Sequence, residues 1–249
     1  MSSVTPVEWS AKTDLVERWF FTAIAGAMFA VAISGFLPSI AFPSGRHAPV
    51  SLLAATHGVL SFVWLGIFLA QARLVADRRV RLHKRVGTAA SLVAVLMVPL
   101  AYATCIEMVR RGFDLSGDLR AELDPAYAVI FPLGDLLMFS VLFTSAIAFR
   151  HRPEIHRTLI LFANITLIPA PLAHLIGHVP WLAATQAPII LLPISLFLAA
   201  AIARDFILKK TVRPLTWGLA ASMFISGPLR AFVIGPSPQW HEFVHRLAR

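Results

Sequence analysis

Apolar residues fill this chain in long solid blocks, separated by short breaks rich in arginine. The blocks run over about 19–42, 50–76, 86–108, 126–149, 158–179, 187–207 and 215–235. Each approaches or exceeds the roughly 20 residues that cross a bilayer core as a helix. Barrel strands would read instead as alternating segments of about ten residues. The pattern predicts an all-α membrane fold of seven transmembrane helices. The connections are short except for the polar stretch 109–125, and there is no low-complexity linker, so 1–249 reads as one domain. Pro132, Pro169, Pro171, Pro193 and Pro228 fall inside blocks and predict kinks.

Composition agrees with this. Charged residues make up 14% of the chain, against about 25% in an average soluble domain, and the mean hydropathy is +0.74. The net charge of +9 would suit a nucleic-acid binder, but the bases sit in the breaks between blocks, where they report topology. One set of breaks holds 15 of the 22 lysines and arginines, from Lys12 and Arg18 through Arg78–Arg85 and Arg150–Arg157 to Arg213; the opposite set holds 7. This ratio predicts a cytoplasmic N-terminus and an external C-terminus, which an odd number of spans permits. The predicted partner is the lipid bilayer, with other membrane-complex subunits possible and nucleic acid excluded. Cys105 is the single cysteine, so there is no internal disulfide. Glu8, Asp14 and Glu17 precede a first block too long for a cleaved signal, and none is expected.

Two breaks resemble each other. "DRRVRLHKRVG" joins the second and third blocks, and "RHRPEIHRTLI" joins the fourth and fifth. Each has a basic turn, an aliphatic residue, a histidine and a base before a new apolar run. Either the chain holds two related hairpins forming a four-helix core, or both loops converged on the same topogenic chemistry.

Candidate chemistry enters through ionisable residues inside the blocks. At about 1.5 Å per residue, His57 lies roughly 12 Å from the outer end of its span, Asp135 roughly 13 Å and His174 roughly 9 Å. His178 shares a helix face with His174 but sits near the surface. Such groups cost several kcal/mol in hydrocarbon unless paired or hydrated. Asp135 has no lysine partner in any span. The expectation is that His57, Asp135 and His174 face one another, a metal or a water-filled cavity; the alternative is a polar network that only locks helix packing. Imidazoles suit zinc, copper or iron. His57, His174 and His178 would leave one coordination position open, as catalytic zinc sites do.

The set His57-x-x-x-Ser61, Asp135 and His174-x-x-x-His178 resembles the zinc site of the seven-helix ceramidase and adiponectin-receptor hydrolases. There the paired histidines lie on the last span and the serine precedes its histidine, unlike here. That resemblance implies a zinc-activated water, with Asp135 and Ser61 as catalytic neighbours. A second likeness is to di-haem membrane cytochromes of the b561 type. It implies haem or another tetrapyrrole between His57 and His174 or His178, and a second between the repeat-related His83 and His156, with an electron-transfer role. No histidine lies within the fourth block, which departs from that pattern. "LHKRV" and "IHRTL" also read simply as bases facing anionic head groups.

Over most of its length the chain resembles a bacterial family of predicted multi-pass membrane proteins of unknown function. The resemblance rests on "HGVLSFVWLGIFLAQARLV" at 57–75, "LHKRVG" at 82–87 and "RHRPEIHRTLILFANI" at 150–165. It implies a bacterial inner-membrane location and no particular activity. The terminal "WHEFVH" matches H-E-x-x-H, but at the chain's end it reads better as a short interfacial helix anchored by Trp240 and Phe243, with a lid over the outer site as one use. The seventh block lacks a Schiff-base lysine, which removes a retinal reading. The sequence "SGPLR" at 226–230 can open the last helix and bring Arg230 near the outer layer. The expected function is a histidine-based metal or tetrapyrrole site in the outer leaflet. The alternatives are a zinc hydrolase and a non-enzymatic accessory subunit or transporter.

Overall fold

A computed structural model describes residues 11–41, 50–112, 124–177 and 191–249. Among them 88% are helical and none is in a strand. Eight longer helices and two short ones follow in order: α1 Ala11–Ala41, α2 Leu52–Ala76, α3 Val80–Arg111, α4 Pro125–Ala128, α5 Ile130–Ala148, α6 Pro153–Ile165, α7 Pro169–Gly177, α8 Leu191–Lys209, α9 Pro214–Leu229 and α10 Pro238–Leu247. A wide π-turn, Arg230–Ile234, extends α9.

Six segments are long and apolar enough to cross a membrane: 16–38, 52–76, 80–111, 125–148, 153–176 and 214–234. They fall on six of the seven expected blocks. The remaining block, about 187–207, corresponds to α8, and its first residues lie outside the described set. The third helix starts six residues earlier than expected, so "LHKRVG" lies on α3. The turn before it shrinks to Asp77–Arg79, with Arg78 in the left-handed region (φ 61°). The fourth span divides into α4 and α5. The fifth divides into α6 and α7 at residues 166–168, just before Pro169, because the preceding residue is driven out of helical geometry and the ring removes a donor.

Local chemistry sets the ends. Ser51 caps α2 by accepting from Ala54 N (3.1 Å). Gly112 ends α3 with φ 74°, which glycine adopts without penalty. Prolines stand at the first turn of α4, α6, α9 and α10, where no donor is lost.

The helices pack as neighbours in sequence. α1 lies against α2, α7 and α8; α2 against α3; α3 against α5; α5 against α6; and α8 against α9. Trp64 on α2 sits at the centre. Its ring meets Phe139 and Phe143 of α5 edge-on at 5.8 and 5.4 Å, and its indole N–H donates to Asn164 Oδ1 of α6 at 3.0 Å. Phe139, Phe162, Met28, Met97 and Ile165 are fully buried around it. Leu92, Val95, Leu96, Leu137 and Phe232 point outward, as lipid-facing residues do. One end of the bundle gathers the basic turns 77–79, 149–152 and 210–213. The other end is covered by α10, and we call it the roof end.

Candidate functional site

Near the roof end the main feature is an ion pair. Arg230 Nη1 donates to Asp135 Oδ1 at 2.8 Å, with the two side chains 13% and 15% exposed. The same nitrogen donates to Phe131 O at 2.7 Å, and Nε donates to Ser226 O at 3.2 Å. The guanidinium carbon lies 5.7 Å from the Phe131 ring centre. So Asp135, expected among imidazoles, has a guanidinium partner from the last span. The sequence reading placed Arg230 near this layer but did not pair it with Asp135.

The backbone makes room for this arginine. A Cβ on Gly134 would come within 2.7 Å of Arg230 Cδ and Nη1, so only glycine lets the guanidinium lie against α5. After Pro228 the helix widens. Gly235 N donates to Arg230 O at 2.8 Å, an i to i+5 bond that defines the π-turn. The Tyr127 hydroxyl donates to Ala231 O at 3.2 Å. Cys105 of α3, buried, lies close enough to Asp135 to feel its charge.

The other expected site residues are scattered. His57 on α2 is partly buried, and its Nδ1 is enclosed with no hydrogen-bond partner among the described residues. Ser61, one turn on, is half-buried on the same helix. His174 on α7 is buried, its ring 4.7 Å from that of Phe36 on α1. Phe36 in turn meets Phe62 of α2 edge-on at 6.0 Å. Helix α1 thus packs against both histidine-bearing helices. His178 lies outside the described residues. Among those described, no three His, Cys, Asp or Glu side chains gather in a way that would hold a metal ion.

At the basic end, His83 and His156 are close enough for their charges to interact. His156 Nδ1 bonds to Ala146 O at 2.8 Å, which leaves Nε2 as the lone-pair nitrogen of the neutral ring. The Gln71 amide, turned so that its oxygen accepts from Gly87 N (3.1 Å), donates to His83 Nδ1 (2.5 Å) and His83 O (3.1 Å). His83 then keeps its proton on Nε2. That tautomer suits a hydrogen bond from Nε2 rather than ligation through it.

The residues that the sequence reading missed form a clamp at this end. Asp205 of α8 accepts from Arg213 Nε (2.8 Å) and Nη2 (2.6 Å), from Thr216 Oγ1 (2.6 Å) and from Arg204 Nη1 (3.2 Å). Arg204 Nη2 reaches Glu17 of α1 at 3.0 Å, and Arg213 Nη1 reaches Glu154 of α6 at 2.8 Å. Arg157 joins Glu17 to Glu154. Arg204 also lies over the Phe20 and Phe21 rings at 5.7 and 4.9 Å. Arg204 and Asp205 are 3% and 1% exposed. As sequence, the arginines counted only as topogenic bases. The one available signal was three acids, Glu17, Glu154 and Asp205, each at the same end of a different span.

No family model, no curated protein and no solved structure matches this chain.

Proposed function

We propose that this is a seven-span carrier, or carrier subunit, of the bacterial inner membrane, and that the Asp135–Arg230 pair binds a small anion together with a proton. The observation that carries this reading is a buried ion pair at membrane depth, fitted by Gly134 and a π-turn. A lipid-facing helix has no packing need for an arginine. Ionisable pairs inside a span typically mark substrate or proton paths. Among the described residues Arg230 Nη2 makes one long contact, 3.5 Å to Ser226 Oγ, and so retains donor capacity for an anion. The exchange balances. A proton adds to the Asp135 carboxylate, the Asp135–Arg230 bond breaks, and the arriving anion takes its place on the guanidinium. For a monovalent anion the net charge in the site is unchanged, so the cost of desolvation stays low. The prolines at helix breaks supply bends of the kind carriers use.

The test is calorimetric titration of acetate, succinate and inorganic phosphate into the full chain in lipid nanodiscs, in two buffers of different ionisation heat. At least one anion is expected to bind with a Kd of about 1 µM to 1 mM, taking up one proton per anion. Arg230→Gln should abolish binding, and Asp135→Asn should bind without proton uptake. No binding, or binding unchanged in Arg230→Gln, overturns the reading.

A second reading rests on the enclosed, unpartnered Nδ1 of His57. With His174, and with His178 beyond the described residues, it would hold a tetrapyrrole, zinc or copper for electron transfer or hydrolysis, with Ser61 one turn along α2 and Asp135, once freed from Arg230, in the role of base or orienter. An absorption spectrum and metal analysis of protein never exposed to chelator decide it. A Soret band lost in His57→Ala favours the tetrapyrrole, and stoichiometric colourless zinc favours the hydrolase. Protein with neither sinks it.

A further inference from the structure

Helix α10 closes the roof end, and the way it is tied down is unusual. Its indole, Trp240 Nε1, donates to Ala126 O of α4 at 2.7 Å. Val244, 1% exposed, packs with Ala126, Val129 and Cys105, so α10 covers the thiol that lies near Asp135. Arg110 of α3 donates from Nε to Ala248 O at 2.8 Å. The remaining tie is His241. Its Nε2 lies 2.9 Å from Gly235 O, at the end of the π-turn that carries Arg230. Its Nδ1 lies 2.9 Å from Asp124 Oδ2.

Both partners can only accept. A backbone carbonyl has no proton, and Asp124 already accepts from Ala126 N through Oδ1 (3.0 Å) as the cap of α4. A neutral imidazole has one N–H and one lone pair. In this seat the lone pair would face an oxygen at 2.9 Å. Only the imidazolium donates to both partners, and both of those bonds are charge-assisted or made by a charged donor.

We propose that α10 is an acid-latched roof over the Asp135–Arg230 pair: protonated His241 ties Gly235 at the end of the π-turn to Asp124 at the start of α4, and loss of that proton releases one tie. The surrounding charges leave this logic intact. From α3, Arg110 is engaged with Ala248 O. On α10, Glu242 and Arg246 pair with each other at 2.5 Å. His245 and Arg249 line the cleft with Arg110 and Asp124. Arg230 presents its carbonyl to Gly235 N and its guanidinium to Asp135. Among the described residues, Asp124 is the carboxylate that faces the ring. The sign follows. The docked seat holds a ring between two acceptors, so docking is tighter in acid, where both nitrogens donate, than in base. The latch stands whether or not Arg230 takes an anion.

Hydrogen exchange of the amides of 238–247 in the full chain in nanodiscs, corrected for intrinsic rates at pH 5.5 and pH 8, tests the latch. In the wild type, protection should fall roughly fivefold at the higher pH, the loss of one charged bond at a half-exposed site. In Asp124→Asn, the amide can donate to Nδ1 while a neutral ring donates from Nε2, so protection should stay high at both values. In His241→Gln, it should be low at both. Flat protection in the wild type, or the same pH dependence in either variant, overturns the latch.

Discussion

Gly35 marks the closest approach of α1 to α7. A Cβ placed there would run into Pro171 O and lie 2.8 Å from its carbonyl carbon, and backbone cannot turn aside as a side-chain tip can. Phe36, the next residue, lies against His174, so the same contact sets where that histidine sits. Gly35→Ala should therefore cost about 1–3 kcal/mol through overpacking and shift the His174 environment. Gly26→Ala on the same helix meets only Leu69 Cδ1 at 4.0 Å and should be neutral or slightly stabilising. Thermal unfolding of both variants in one detergent checks the contrast. An equal effect from the two would mean that helix propensity, not the α1–α7 contact, governs. At this scale the sequence was only partly readable. The depth of Asp135 told that it needed a partner, because a carboxylate in hydrocarbon is costly. Which partner it takes depends on how the last span is turned against α5, where Gly134 leaves room for Arg230, and helix periodicity alone does not report that rotation. His57 and His174 were placed at similar depth for the same reason, while their rotation about the helix axes was open, and in the structure α1 packs against both of their helices.

At the scale of elements, the spans were legible because their signal is length and solid hydrophobicity, which no tertiary contact overrides. Their ends were less so. "LHKRVG" read as loop because it is basic, yet it continues α3, since lysine and arginine are good helix formers and their heads can reach the head-group layer. The clamp that joins α1, α6, α8 and α9 stayed hidden because its bases have two roles, and the topogenic one accounts for them without any partner. Its energetics make a direct prediction. Asp205 accepts five hydrogen bonds, four from side chains of two arginines and a threonine and one from the Arg213 backbone N–H, while 1% exposed. Asp205→Ala leaves Arg204, itself 3% exposed, with Glu17 as its one remaining carboxylate among the described residues. Breaking a buried pair in this way costs about 3–5 kcal/mol. Thr216→Val removes only the hydroxyl bond and should cost about 1 kcal/mol. Denaturant or thermal midpoints of the two variants, ranked against each other, check this. A loss in Asp205→Ala no larger than in Thr216→Val would mean that the clamp is surface decoration.

For the whole molecule, the contacts of the two chain ends bear on topology. Glu17 near the start of α1 is bound at the basic end through Arg157 and Arg204, whereas Ala248 near the end of α10 is bound at the roof end through Arg110. The proposed seven crossings, which count α8 with the six apolar spans, would put the two termini on opposite sides of the membrane. On that proposed topology, the 15-to-7 split of lysines and arginines would put the basic end in the cytoplasm, because bases next to a span are held back on that side during insertion. Removal of the one native thiol allows a clean test. In a Cys105→Ser background, Arg79→Cys reports the basic end and Glu242→Cys reports the roof. A membrane-impermeant maleimide applied to right-side-out vesicles should label residue 242 at once and residue 79 only after permeabilisation. The reverse pattern would place the roof helix in the cytoplasm and overturn the proposed orientation. Labelling of both positions from one side would require an even number of crossings, and so would remove α8 from the membrane.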